Sequence, residues 1–240
     1  MSAALPAAAP RAVLFDAYGT LFDVHSVAAL GEALFPGRGE RLSALWRDKQ
    51  IEYTRLASMS GRWRPFAELT RAALRWAALR LGLELDAAAE DALLARYDRL
   101  DAFAENRAVL VELKRRGVRA GILSNGDAPM LAAAVRGAGF DALLDPVLSV
   151  QAAGRYKTDP AAYALGTQAL GLPAQRIVFV SSNGWDALGA GWFGFTTLWV
   201  NRAGLPPEQL GPAPSRTAAS LHAVLDFFPQ PACAFLQETP

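Results

Sequence analysis

The run Val13-Leu14-Phe15 stops abruptly on a carboxylate, Asp16, and Gly19 follows within three residues. A short apolar run bounded by turn residues reads as a buried strand, so Asp16 stands at a strand's carboxyl end. In an open α/β sheet, ligands bind in the crevice beyond those ends. Asp16 is therefore a candidate nucleophile. Asp also caps turns and helices, and this stretch alone leaves both roles open.

The rest of the chain supplies the context. Apolar residues recur at helical spacing over Ser26–Phe35, Arg38–Met59, Pro65–Leu81 and Asp86–Leu100, with breaks at Pro36-Gly37, Ser60-Gly61 and Leu81-Gly82. No convincing strand is expected between about 26 and 106. From Arg107 the pattern alternates. A helix to Arg116 leads to a strand over Val118–Leu123 and a helix over Ala128–Arg136. The apolar piece Pro146–Val150 precedes a helix over Pro160–Leu170 and the strand Ile177–Val180. A helix over Trp185–Phe193, the strand Thr196–Val200 and Ala218–Phe228 close the set. Such alternation predicts an α/β fold with a Rossmann-like parallel sheet. The core comprises residues 11–25 and 107–229, and an all-helical insertion, 26–106, sits as a cap over the sheet edge that carries Asp16. Residues 1–10 read as a flexible leader and 230–240 as a C-terminal tail.

Three later stretches also place polar residues directly after apolar ones: Gly121-Ile122-Leu123-Ser124-Asn125-Gly126, Arg155-Tyr156-Lys157, and Ile177-Val178-Phe179-Val180-Ser181-Ser182-Asn183-Gly184-Trp185-Asp186. Asp, then Ser-Asn, then Lys, then a late Asp resembles the haloacid dehalogenase superfamily, with all four motifs in order. Most members of that superfamily are magnesium-dependent phosphatases with a second Asp two residues after the nucleophile and another acid in the fourth motif. Here those places hold Tyr18 and Ser182. A hard dication needs several oxygen ligands, mostly anionic, and Asp16 with Asp186 is a poor set.

The sequence is instead similar to the metal-independent L-2-haloacid dehalogenases, including Phe22-Asp23-Val24-His25-Ser26 and Leu45-Trp46-Arg47. That resemblance implies displacement of halide by Asp16 from the carbon beside a carboxylate, and hydrolysis of the resulting ester without a cofactor. The other site residues follow from it, one by one. Thr20 orients Asp16, Lys157 balances its charge, and Arg47 from the cap receives the halide together with Asn125. Ser124 binds the substrate carboxylate with Asn125 and the amides near Tyr18 and Gly19. Asp186 activates water, with Ser181 and Asn183 positioning it, and Tyr163 lies near the ester. Tyr18, Ile51, Trp63, Phe66 and Trp185 form the wall around the substrate carbon.

Each residue also has a plainer reading. Ser124-Asn125-Gly126 is an ordinary turn sequence, Thr20 suits a cap, Arg47 a solvated surface, Lys157 a loop charge, and Tyr163 and the wall aromatics core packing. Lysine is not the default cation, with Lys49, Lys114 and Lys157 the only three. Arg47 has no acidic residue three or four positions away on its helix, which leaves it free to reach the core. Two departures from the family stand out: Thr158 follows Lys157 where proline is usual, and Asp48 adjoins Arg47 in place of a neutral residue.

Bulk properties narrow the remaining options. At 52% hydrophobic and 20% charged residues, the chain of 240 is globular. A net charge of +1 without basic clusters gives nucleic acid nothing to bind. Cys233 is the single cysteine, which excludes an internal disulfide. No apolar run reaches the ~18 residues of a membrane helix. A cytoplasmic homodimer acting on a small halogenated carboxylic acid is the expectation. The alternatives are a superfamily phosphatase acting on a small metabolite and a non-catalytic carboxylate-binding protein.

Overall fold

The centre of the computed structural model, which describes residues 9–229, is β1 (Ala12–Phe15), whose four residues are all buried. The expected tail, most of the leader and Cys233 lie outside the described residues. An unbroken apolar run suits a strand covered on both faces, as parallel sheets require. β1 pairs in parallel with β4 (Arg119–Ser124) on one side and β6 (Ile177–Ser181) on the other. The full sheet runs β5-β4-β1-β6-β7-β8, all parallel, with β5 at Val147–Ser149, β7 at Thr196–Val200 and β8 at Arg216–Ala218. The register aligns Phe15 with Ile122 and Val180. Asp16, Ser124 and Ser181 consequently emerge together at the carboxyl edge. α5 (Asn106–Arg115), α6 (Ala128–Gly137), α7 (Pro160–Leu170) and α8 (Gly184–Phe193) connect the strands.

Between β1 and α5 lie α1 (Ala28–Leu34), α2 (Gly39–Met59), α3 (Phe66–Leu81) and α4 (Ala87–Tyr97). Trp46 on α2 is buried and donates its indole N–H to the carbonyl of Thr70 on α3 at 2.8 Å. The stretch is not free of strand, however. β2 (Phe22–Asp23) pairs antiparallel with β3 (Asp101–Ala102), bringing the chain's departure and return side by side. Two residues cannot display a period of two, so β3 left no readable pattern. The closing segment also differs from a regular α-helix. Leu221–Phe227 is a 3₁₀ helix, preceded by the edge strand β8.

The helices and the sheet are tied together by Asp127, which precedes α6. Its carboxylate accepts the backbone N–H groups of Phe66 at 3.0 Å and Ala67 at 2.8 Å. Pro65, at the start of α3, has no hydroxyl or carboxylate to cap the helix. A carboxylate from the core fills that place, satisfying two orphan donors and opposing the positive end of the helix dipole.

Candidate active site

Asp16 leaves β1 nearly buried and accepts three hydrogen bonds. Thr20 Oγ1 (3.1 Å) and Asn183 Nδ2 (2.9 Å) donate to Oδ2, and Lys157 Nζ (3.1 Å) donates to Oδ1. Thr20 in turn accepts the Ser182 N–H at 2.8 Å, which fixes the direction of its own proton. The ammonium of Lys157 also donates to Asp186 Oδ2 at 3.0 Å, so one cation bridges two carboxylates. It lies 4.7 Å from the centroid of the Phe179 ring and is only 2% exposed. Charges this dry persist only when paired.

Asp186, in the first turn of α8, is fully buried, and burial raises its carboxyl above the ordinary value of 3.8. Lys157 opposes the rise and the charge on Asp16 adds to it. Tyr163 on α7 donates its hydroxyl to Asp186 Oδ1 at 2.8 Å. Burial first, then the adjacent Asp186, holds that phenol well above 10.0, so it stays a donor. Its ring also packs against Phe179, Phe193 and Phe195, as the core-packing reading expected. Thr158 continues from Lys157 through a cis peptide bond and packs on Gly189 of α8.

A narrow cleft, with a volume of about 10 Å³, opens above Asp16, lined by Tyr18, Arg47, Ile51, Thr54, Phe66, Ser124, Asn125, Asn183 and Trp185. The side chains expected to face the substrate, Trp63 excepted, are among them. Thr20, Lys157, Tyr163, Ser181 and Asp186 lie behind this lining. Ser181 accepts the N–H of Asn183 at 3.1 Å, so it orients Asn183 by the backbone. Ser124 does the same for Gly126 at 3.2 Å. Asn125 Oδ1 accepts the Lys157 N–H at 3.0 Å, which joins the second motif to the third.

Arg47 reaches from α2 into the core. Its Nη2 donates to the Tyr18 carbonyl at 3.1 Å and to Asn183 Oδ1 at 3.3 Å, and its Nη1 to Gln50 Oε1 at 2.8 Å. The helix thus does hold a partner for Arg47, though an uncharged one. Asp48 is exposed and takes no part in the lining. Trp63 does not join the wall either. It stacks on Tyr156 at 4.4 Å, and Tyr156 is itself pinned by its hydroxyl to the Arg64 carbonyl at 2.7 Å. Sequence reasoning missed Thr54, which bonds back to the Ile51 carbonyl on its own helix, Gln50, whose partners include Thr70 and Tyr97 on neighbouring helices, and Asp127 and Arg202, whose partners are remote in the chain.

The residues present do not suit a divalent cation. Lys157 occupies the space between Asp16 and Asp186. The Tyr18 carbonyl already accepts from Arg47 and from Asn183 Nδ2 at 3.2 Å. Ser182 Oγ accepts from the Arg202 guanidinium at 2.8 Å, where a magnesium site would have an acid. Among the described residues no group of three or more His, Cys, Asp and Glu side chains is placed to hold a metal.

The family model for haloacid dehalogenase-like hydrolases matches residues 10–194. The chain belongs to this family. An (S)-2-haloacid dehalogenase of Pseudomonas sp. (strain YL) is 48% identical over 218 residues, covering 91% of this chain and 94% of that one. A crystallised L-2-haloacid dehalogenase superposes with a TM-score of 0.90 at 54% identity, over 92% of this chain and 99% of its own. Another, from Xanthobacter autotrophicus with chloropropionic acid covalently bound, gives 0.84 at 36% identity, over 90% and 96%. Within this haloacid dehalogenase-like hydrolase, no helix of the described residues is long and apolar enough to cross a membrane.

Proposed function

We infer that this hydrolase removes halide from L-2-haloacids, giving 2-hydroxyacids with inversion at the second carbon. The observation that carries the reading is the buried Asp16–Lys157–Asp186 arrangement beneath a small cleft. An ionised carboxylate held dry by a compact ammonium is a nucleophile for carbon and needs no metal. Asp16 attacks the carbon that bears the halogen, the carbon–halogen bond breaks, and Arg47 with Asn125 receives the halide. Ser124 and nearby amides hold the substrate carboxylate while Tyr18, Ile51, Phe66 and Trp185 exclude water.

The ester formed on Asp16 removes its charge, and Asp186 then takes a proton from water. The water oxygen attacks the Asp16 carbonyl carbon, the ester bond breaks, and the proton held by Asp186 passes to the departing alkoxide oxygen. The hydroxyacid leaves while the proton remaining on the Asp16 carboxyl is released to solvent. Only the first step touches the chiral carbon, so configuration inverts once. Thr20, Ser181, Asn183, Lys157 and Tyr163 keep these groups in place. Residues 26–106 act as the cap over a core of 11–25 and 107–229, and the enzyme works as a metal-independent cytoplasmic homodimer.

The test is chloride release from racemic 2-chloropropionate in the presence of a chelator. Release should stop at half of the total and leave the R enantiomer beside R-lactate. No chloride, together with magnesium-dependent cleavage of an aryl phosphate, would sink the reading.

A further inference from the structure

Gln50 is fully buried on α2, one turn beyond Arg47, and makes hydrogen bonds through both ends of its amide. Its Nε2 donates to Thr70 Oγ1 on α3 at 2.7 Å. Its Oε1 accepts from Arg47 Nη1 at 2.8 Å and from the Tyr97 hydroxyl on α4 at 3.0 Å. A buried amide could flip, but here its direction is dictated. The Thr70 hydroxyl spends its only proton on the Phe66 carbonyl at 2.7 Å, so toward Gln50 it can only accept. Burial raises the Tyr97 phenol and keeps it a donor. Gln50 must therefore show Thr70 its NH₂ and Arg47 its carbonyl.

Arg47 is in this way held at both of its terminal nitrogens, by α2 through Gln50 and by the core through Tyr18 and Asn183. A neutral acceptor fixes the guanidinium without cancelling its charge, as Glu would. We propose that Gln50, oriented by Thr70, is a positioning residue that aims the Arg47 guanidinium at the departing halide. This inference rests on the dehalogenase reading and deepens it.

The experiment follows halide release in the first turnover of S-2-chloropropionate and S-2-bromopropionate, with kcat and KM beside it. Chloride is the poorer leaving group and depends more on a well-placed cation. Gln50→Leu should slow chloride release about 10- to 100-fold, the range expected for a misaimed catalytic group. Bromide release should slow less, widening the bromide-to-chloride ratio at least ~3-fold, and KM should change less than kcat. Thr70→Val, which lets the amide turn, should give the same signature at smaller size. If Gln50→Leu does not fold, Thr70→Val decides. Wild-type rates, or equal losses for both halides that track the folded fraction, would overturn the proposal. No halide burst from the unmodified enzyme would instead overturn the dehalogenase reading, and this inference with it.

Discussion

The Asp127 carboxylate accepts the N–H of Phe66 at 3.0 Å, although the two residues are 61 positions apart. One belongs to the loop just past Ser124 and Asn125, and the other begins a helix of the cleft wall. The contact therefore couples the sheet side of the cleft to its helical side.

Asp127→Ala should reduce stability by about 1–2 kcal/mol, the usual cost of losing a helix cap. It should also raise KM, because Phe66 loses its anchor. Denaturant unfolding and steady-state kinetics check both effects. Unchanged stability would mean that water replaces the carboxylate at no cost.

Asp16→Asn should abolish halide release, since a neutral amide offers no ionised oxygen to attack carbon. The fold should survive, because the amide can still accept from Thr20 or Asn183. Chloride measurement and circular dichroism together check this. Full chloride release by the variant would remove Asp16 from the mechanism.

The rate of ester hydrolysis should fall as pH drops, along a limb lying above the ordinary range of an aspartate. The sign follows from Asp186. Its carboxyl is raised mainly by burial, so it becomes protonated, and useless as a base, at a higher pH than a solvated acid. Lys157 lowers it. Lys157→Met should therefore move the limb of any residual activity further up. A pH profile of single-turnover ester decay checks the direction, and a limb at the solvated value would refute it.

Gly189→Ala should slow ester hydrolysis more than halide release. A Cβ there would lie 2.5 Å from Thr158 Cγ2 and 2.8 Å from the Tyr163 hydroxyl. Crowding of this kind costs about 1–3 kcal/mol and pushes Tyr163 away from Asp186. The expected outcome is accumulation of protein carrying the mass of the ester. Parallel slowing of both steps would speak against it.

Much of this molecule is written locally. Apolar runs that end in Asp16, Ser124 and Ser181 mark strand ends because a buried parallel strand must be apolar throughout and the chain must turn where it meets the crevice. The helices from 28 to 97 show in their spacing for a similar reason, since one face of each is buried. Arg47 was recognisable as a cation with no acidic residue three or four positions away on its helix. What packed around it was not.

Sequence by itself determined the fold class and the position of the helical stretch, because each depends on periodicity within a few residues, whereas the side chains expected at the crevice followed from the resemblance of its motifs to a family. Only the tertiary structure decided that Lys157 spans both Asp16 and Asp186, that Trp63 turns to Tyr156, and that Gln50 and Asp127 hold the cleft wall. Those choices are made by donors and acceptors that must be satisfied once buried. Their partners lie on other elements, at separations that no local pattern records.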